Sequence, residues 1–128
     1  MIVDASAIIA LLFDEPGSDS LKERLLGAAH AGVAASTLVE AGLVVSARTK
    51  RNAMPDLERF VRDFGLVVIP FEEEHARAAV EAFLRFGKGR HRAALDFGDC
   101  MAYAVAKLAG QPLLCTGDDF RRTDLDVA

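Results

Sequence analysis

The chain has few of the features that mark secreted, zinc-stapled or membrane-spanning proteins. Its 128 residues include only two cysteines, Cys100 and Cys115, with no CxxC pair and no histidine spacing suited to zinc. A disulfide framework and a structural zinc site are therefore not indicated, and a reducing cytoplasm fits best. The longest apolar region, residues 31–47, contains Glu40, and it falls short of the roughly 18 to 20 apolar residues that a membrane span needs. Asp4 stands where a signal peptide has basic residues, so we expect no export.

Neither sign of charge dominates the composition. Fifteen basic and 19 acidic residues give a net charge of −4, which argues against binding of nucleic acid through bulk charge. The chain has no internal repeat, no low-complexity tract and no linker rich in proline, glycine and serine. Because 52% of the residues are hydrophobic, the chain can bury a sizeable core, and we expect one domain over residues 1–128.

Short apolar runs alternate with longer segments of helical periodicity, which is typical of βαβ units. Strands are predicted at residues 2–4, 33–35, 66–69 and 112–116, and a short fifth strand at residues 125–127 would extend the sheet. The first four are apolar on both faces and are expected to be buried. Segments 37–47 and 96–109 are apolar almost all round, which predicts helices buried on most sides. We therefore expect an α/β fold with three layers, α/β/α, around a mostly parallel twisted sheet of four to five strands.

Five acidic residues fall where this fold gathers the ends of its elements. Asp4 ends the first strand, and Glu40 lies in the first turn of the helix after the second strand. Asp96 and Asp99 lie in the first turn of the helix before the fourth strand, and Asp118 follows the fourth strand. Strand C-termini and helix N-termini share one edge of such a sheet, where ligands bind. Buried carboxylates that lie together need a compensating cation. The sequence therefore predicts a Mg²⁺ or Mn²⁺ site and phosphodiester hydrolysis.

Helix capping is the alternative explanation for three of these acids, Glu40, Asp96 and Asp118, because acids are favoured at helix N-termini. The segment TLVE, which ends at Glu40, has the spacing of a capping box. Asp4 differs because it lies between apolar strand residues and a wholly apolar run; its alternative explanation, the cap of an Asx-type turn, must tolerate burial with few local partners. For Asp4 and Asp99 we predict a functional role.

Four segments, taken in order, resemble the PIN-domain ribonucleases of the VapC toxin type: MIVDASAII, STLVEAGLVV, ALDFGDCMAYAVAKLAGQPLL and CTGDDF. The resemblance covers essentially the whole chain. It implies an acidic pocket that binds Mg²⁺ or Mn²⁺ and cleaves single-stranded regions of RNA by means of metal-activated water. By position, the catalytic and metal-binding residues are Asp4, Glu40, Asp99 and Asp118. The sequence leaves open whether Asp118 or the adjacent Asp119 faces the metal.

The resemblance also implies supporting residues and partners. Ser6 and Asp96 would surround the pocket without holding the metal directly. Nearby basic side chains would hold the RNA backbone, namely Arg48, Lys50, Arg51, Arg90 and Arg92. The implied partners are a VapB-type antitoxin, whose C-terminal segment blocks the pocket, and a second copy of the chain in a homodimer; the location is the cytoplasm, away from membranes. Two alternatives stay open: a PIN-like module that binds RNA or a partner without cutting, and a protein whose acids are only caps.

Overall fold

A four-stranded parallel sheet runs through the middle of the molecule. A computed structural model describes residues 1–128. The strands are β1 (Ile2–Val3), β2 (Gly32–Ala34), β3 (Val67–Ile69) and β4 (Leu113–Leu114). Their spatial order is β3-β2-β1-β4, and every neighbouring pair is parallel. On the central strand, Ile2 pairs with Gly32 on one side and with Leu113 on the other.

Six α-helices and one short 3₁₀ helix surround this sheet. They are α1 (Ala5–Leu12), α2 (Ser18–Gly27), α3 (Ala35–Thr49), α4 (Met54–Asp63), α5 (Glu73–Phe86), α6 (Phe97–Ala109) and the 3₁₀ helix Phe120–Arg122. One core cluster combines residues of α1, α2 and α4 with the sheet, and it includes Ile8, Leu25 and Leu57. A second cluster combines α5 and α6 with the other side of the sheet, around Val105 and Leu113. The predicted three-layer α/β/α architecture is confirmed.

Local signals in the sequence explain where several helices begin and end. Pro55 lies in the first turn of α4, where its missing N–H costs no helical hydrogen bond. Helix α5 begins with a capping box between Glu72 and His75. Helix α6 ends at Gly110, which has a φ of 62° and so adopts the left-handed conformation that glycine accepts without strain.

The strand predictions locate all four strands, with ends that differ by one or two residues. The predicted fifth strand at residues 125–127 is reduced to one parallel bridge between Val127 and Leu113. The expectation that all four strands are buried is wrong for β3, where Val67 and Val68 are 66% and 43% exposed. Strand β3 lies at one edge of the sheet, and its Val67 and Val68 belong to neither core cluster, whereas β4 at the opposite edge is buried and is bridged to Val127.

The prediction that the helix around residues 37–47 is buried on most sides is also wrong. Helix α3 packs against the rest of the molecule with Thr37, Ala41 and Val45, but Val39 is 61% and Leu43 is 70% exposed. Helix α6 agrees better with its prediction, because six of its residues are buried. The apolar composition of α3 therefore reflects an open apolar face as well as a core.

None of the helices combines the length and the hydropathy that a membrane crossing requires.

Candidate active site

Asp4 lies at the point where the central strand meets the first helix. It is the N-cap of α1, and its Oδ2 accepts hydrogen bonds from the Ser6 backbone N–H (3.0 Å) and from Ser6 Oγ (2.5 Å). Ser6 Oγ in turn accepts a hydrogen bond from the Thr116 N–H (3.0 Å), just beyond β4. Asp4 is only 3% exposed. Ser6 thus fixes the orientation of a buried carboxylate and links it to the neighbouring strand.

Asp96 and Asp99 form a reciprocal capping box at the start of α6. Asp96 Oδ1 accepts from the Asp99 N–H (2.9 Å), and Asp99 Oδ2 accepts from the Asp96 N–H (3.1 Å). The capping explanation is therefore confirmed for Asp96. It holds for Asp99 as well, but only through Oδ2, because Oδ1 makes no hydrogen bond within the chain. One oxygen of Asp99 positions the side chain and the other is available to a ligand.

Glu40 has no capping role, contrary to the alternative drawn from the segment TLVE. Helix α3 begins one residue after Ala34, so Glu40 lies in the second turn and not in the first. Its carboxylate makes no hydrogen bond or ion pair with the protein and instead lies against the backbone of Gly98 in the first turn of α6. A Cβ atom at position 98 would overlap the Glu40 carboxyl group. The absence of a side chain at Gly98 therefore lets Glu40 approach Asp99.

The pKa values of Asp4, Glu40 and Asp99 are raised, and the acids contribute to one another's shifts. Burial raises the pKa of Glu40 to about 7, and the charges of Asp4, Asp96 and Asp99 act in the same direction. Burial also raises the pKa of Asp99 to about 7, with Asp96 and Asp4 adding to the effect. The pKa of Asp4 is raised by burial despite the opposing hydrogen bonds from Ser6. Ionised carboxylates are thus unfavourable here unless a cation joins them.

The structure does not bring Asp118 or Asp119 into this group. Both side chains are well exposed, and they lie 4.0 Å from Arg121 and 3.7 Å from Arg122 respectively, each three residues along the chain. Neither acid is among the charges that raise the pKa of Asp4, Glu40 or Asp99. Asp119, not Asp118, precedes the 3₁₀ helix, and its side chain makes no capping hydrogen bond. The fourth acid of the predicted pocket stays a prediction.

The first predicted basic cluster lies away from the acids. Arg48 is eight residues beyond Glu40 on α3, about 12 Å along the helix axis, and its guanidinium lies 5.0 Å from the ring centre of Phe13. Lys50 ends the helix, and Arg51 pairs with Asp56 at 2.7 Å. These three cations therefore flank the far end of α3 rather than the acidic group.

The second basic cluster leads directly into the acidic group. Arg90 and Arg92 lie in the loop between α5 and α6, which ends at Asp96. The guanidinium of Arg90 lies 5.3 Å from the ring centre of Phe83, and the Arg92 carbonyl accepts a hydrogen bond from Arg122 (3.3 Å). Both side chains are exposed at residues 90 and 92. Of the two basic clusters, this loop is the one that continues along the chain into Asp96 and Asp99.

The donor set fits a hard divalent cation by its chemistry. Asp4, Glu40 and Asp99 offer only oxygen atoms, and no lysine or arginine forms an ion pair with any of them. No three acidic, histidine or cysteine side chains lie close enough together to surround one ion. Binding therefore requires the carboxylates to rotate inward. Glu40, which no hydrogen bond holds, has the most freedom to do so.

Sequence reasoning missed two residues next to the acids. Gly98 is needed for the approach of Glu40, and the motif FGD, with a glycine in a first helical turn beside an acid, was the available signal. Phe97 begins α6 and is 81% exposed. An aromatic side chain so exposed beside a buried acidic group has no structural explanation within one chain.

Comparisons with known proteins agree with this geometry. The model of the PIN domain family matches residues 1–125. Ribonuclease VapC36 of Mycobacterium tuberculosis is 50% identical over 127 residues, covering 98% of this chain and 91% of the relative. Ribonuclease VapC of Mycolicibacterium smegmatis is 35% identical over 125 residues, covering 98% and 97%. Among solved structures, a similar one is VapC20 of Mycobacterium tuberculosis, a toxin that cleaves the sarcin-ricin loop. Its TM-score is 0.80 at 17% identity, and the match covers 99% of this chain and 97% of that one.

Proposed function

The chain belongs to the PIN-domain family and, within it, to the VapC ribonucleases, and we therefore propose that it is the toxin of a VapBC-type pair. As such it is an endoribonuclease that hydrolyses phosphodiester bonds in single-stranded regions of RNA with Mg²⁺ or Mn²⁺. The observation that carries this proposal is the gathering of Asp4, Glu40 and Asp99 with raised pKa values and no basic partner. Asp4 and Asp99 also cap helices, but their raised pKa values mean that the ionised forms lack compensation within the chain, which a divalent cation would supply.

The three acids contribute differently. Asp4, held by Ser6, and Asp99, held by the Asp96 N–H, are fixed in orientation and would anchor the ion. Glu40 has no hydrogen bond and would complete the site and orient the attacking water. A bound divalent ion supplies neutralisation of charge on the phosphoryl group and activation of water. By position in the family, Asp118 or Asp119 would join them after leaving its arginine neighbour.

The RNA would approach along the basic loop that leads to Asp96. Arg90 and Arg92 are exposed there and would hold phosphates of the RNA backbone. Arg48, Lys50 and Arg51 would meet only a longer strand, because they flank the opposite end of α3. Acids in a pocket and cations at its rim allow the chain to bind RNA locally despite a net charge of −4.

The proposal extends to partners and assembly. One similar solved structure is a toxin–antitoxin complex from Klebsiella pneumoniae, with a TM-score of 0.72, and another is VapBC2 of Rickettsia felis bound to a DNA fragment from its promoter, with a TM-score of 0.75. We propose a VapB-type antitoxin as partner for this chain, with its C-terminal segment on the acidic group. We further propose that residues 1–128 act as one domain, as a homodimer, in the cytoplasm.

The test is cleavage of a mixed cellular RNA pool by the purified chain with Mg²⁺, with Mn²⁺ and with EDTA. Asp99→Asn keeps an oxygen for the capping hydrogen bond but loses the charge, and Asp63→Asn, on the exposed side of α4, is the matched control. We expect discrete, metal-dependent products from the wild type and from Asp63→Asn, and none from Asp99→Asn. Cleavage that persists in EDTA or in Asp99→Asn would overturn the proposal. Absence of cleavage by the folded wild type in either metal would favour a module that binds without cutting.

A further inference from the structure

The stretch of chain that follows β4 is anchored at both of its ends. It comprises residues 116–124, and we call it the 116–124 segment. At its start, the Thr116 N–H donates to Ser6 Oγ (3.0 Å), the same hydroxyl that donates to Asp4. At its end, Asp124 Oδ1 accepts a hydrogen bond from the Tyr103 hydroxyl (2.6 Å). The two candidates for the fourth acid therefore lie between two fixed points.

Three donors from two helices surround the carboxylate of Asp124. Besides Tyr103, Lys107 Nζ lies 2.9 Å from its Oδ2 and Arg85 Nη1 lies 3.5 Å from the same atom. Tyr103 is buried, whereas the side chains of Lys107 and Arg85 are about half exposed. The phenol bond is therefore the strong contact, and the two cations add little. Although burial opposes it, the hydrogen bonds from Tyr103 and Lys107 hold the pKa of Asp124 below its usual value.

The residues beyond Asp124 do not need this bond to stay on the sheet. The Asp126 carbonyl accepts from the Leu113 N–H (2.9 Å), and the Ala128 N–H donates to the Leu113 carbonyl (2.8 Å). These two bonds fix the last residues of the chain to β4 directly. The Tyr103–Asp124 bond therefore constrains chiefly the residues that precede it.

A series of hydrogen bonds connects Asp124 to the 3₁₀ helix. Thr123 Oγ1 donates to the Phe120 carbonyl (2.6 Å) and accepts from the Leu125 N–H (3.1 Å), so it ties both neighbours of Asp124 to that helix. Phe120 is buried in the core. The helix begins directly after Asp119. The place of the exposed acids thus depends on where Asp124 is held.

We propose that Tyr103 and Asp124 are positioning residues of the metal site, which hold the 116–124 segment so that Asp118 or Asp119 is within reach of the ion. This inference rests on the proposed function, because it takes the acidic group to bind a divalent cation. Tyr103 lies four residues beyond Asp99, one turn away on the same face of α6. The helix that carries one acid of the group therefore also sets the place of the fourth.

The size of the expected effect follows from the number of steps between these residues and the ion. Changing a residue that hydrogen-bonds a metal ligand directly costs about 10- to 100-fold in metal affinity. Tyr103 and Asp124 act one step further away, and the buried Phe120 keeps part of the packing when their bond is lost. We expect Tyr103→Phe and Asp124→Asn to bind Mn²⁺ about three- to tenfold more weakly, because a smaller fraction of the molecules holds the segment in place.

The experiment is isothermal titration calorimetry of Mn²⁺ into the full chain without RNA, so that the readout does not depend on cleavage. Tyr103→Phe removes the hydroxyl and keeps the ring, and Asp124→Asn removes the charge at the other end of the bond. The matched controls are Thr49→Val and Asp56→Asn, which lose one hydroxyl hydrogen bond and one ion pair near the far end of α3. Asp56→Asn also matches the change in net charge. We expect both controls to bind Mn²⁺ like the wild type.

A double-mutant cycle separates positioning from a general loss of stability. Tyr103→Phe is combined with Asp118→Asn and, separately, with Asp119→Asn. We expect Tyr103→Phe to weaken Mn²⁺ binding further in one of these backgrounds and to have no further effect in the other, which identifies the acid through which the bond acts. A loss that persists in both backgrounds, or wild-type affinity in both Tyr103→Phe and Asp124→Asn, would overturn this inference alone. A folded wild type that binds no Mn²⁺ would overturn the proposed function and this inference with it.

A spectroscopic measurement reports on the bond itself. The chain has one tyrosine and no tryptophan, so its intrinsic emission comes from Tyr103. A carboxylate that accepts the phenol proton quenches tyrosine emission, because the excited phenol is the stronger acid. We expect weak emission from the wild type and from Asp56→Asn, and stronger emission from Asp124→Asn. Equal emission from all three folded proteins would show that the bond does not form in solution and would overturn the proposal.

Discussion

Replacing Glu40 by glutamine should stabilise the protein in the absence of divalent metal. Burial raises the pKa of Glu40 from an ordinary 4.5 to about 7. The folded protein therefore binds this proton more tightly than the unfolded chain, and its stability falls as pH rises from about 4.5 to about 7 and is level beyond that range. At about 1.4 kcal/mol for each pKa unit, the difference between 4.5 and about 7 corresponds to roughly 3.4 kcal/mol. Solvent screens this half-buried carboxylate, so its ionised form costs on the order of 2–3 kcal/mol near pH 8. Glutamine has a similar shape and removes that cost.

The assay is urea denaturation followed by far-UV circular dichroism in EDTA, near pH 4 and near pH 8. Glu58→Gln, on the exposed side of α4, is the matched control. Glu40→Gln should exceed the wild type by about 2 kcal/mol near pH 8 and by almost nothing near pH 4, where the wild-type carboxyl is protonated. The control should match the wild type at both values. Equal or lower stability of Glu40→Gln near pH 8 would refute the electrostatic reasoning, because it would show that the ionised carboxylate is not strained.

Three further predictions test the metal, the RNA path and the packing of the site. Mg²⁺ or Mn²⁺ at about 100 times its dissociation constant should stabilise the wild type by about 2.7 kcal/mol in thermal melts, and Asp4→Asn should lose this shift; a shift that survives would place the ion elsewhere. Changing Arg90 and Arg92 together to alanine should weaken binding of single-stranded RNA and reduce the slope of log affinity against log salt by about 1.4 in fluorescence anisotropy; an unchanged slope would remove both from the RNA path. Gly98→Ala should fold, as judged by circular dichroism, yet lose RNA cleavage, because the new methyl group displaces the Glu40 carboxylate that lies against residue 98. Gly27→Ala, which has open space around it, should retain cleavage. Full activity in Gly98→Ala would contradict the packing of the site.

Much of the fold could be predicted from the sequence because its signals are local. The four strands are short apolar runs, and the alternation with helical segments indicates a parallel sheet. The exposure of β3 and of one side of α3 could not be predicted in this way. An apolar residue such as Leu43 looks the same in the sequence whether its neighbour is the core of its own chain or another molecule.

In the candidate site, too, the residues marked by local signals could be predicted, and those that depend on distant contacts could not. Asp4 and Asp99 could be located because strand ends and helix starts meet at one edge of a parallel sheet. The role of Gly98 depends on the distance between two helices that are far apart in sequence, and no local pattern specifies it. Asp118 and Asp119 follow β4 as exposed side chains near Arg121 and Arg122, and nothing in the local sequence specifies whether either turns toward the other acids.

The measurement that tests the central claim most directly is the rate of cleavage of one fluorescently labelled single-stranded RNA in Mn²⁺ under single-turnover conditions. Wild type is compared with Asp4→Asn, Asp99→Asn and the exposed control Asp63→Asn, each confirmed as folded. The account predicts a loss of at least about 100-fold for the first two variants, as expected when a group that stabilises the transition state is removed, and a wild-type rate for the control. Equal rates in all four proteins would contradict the claim that these carboxylates form the nuclease centre.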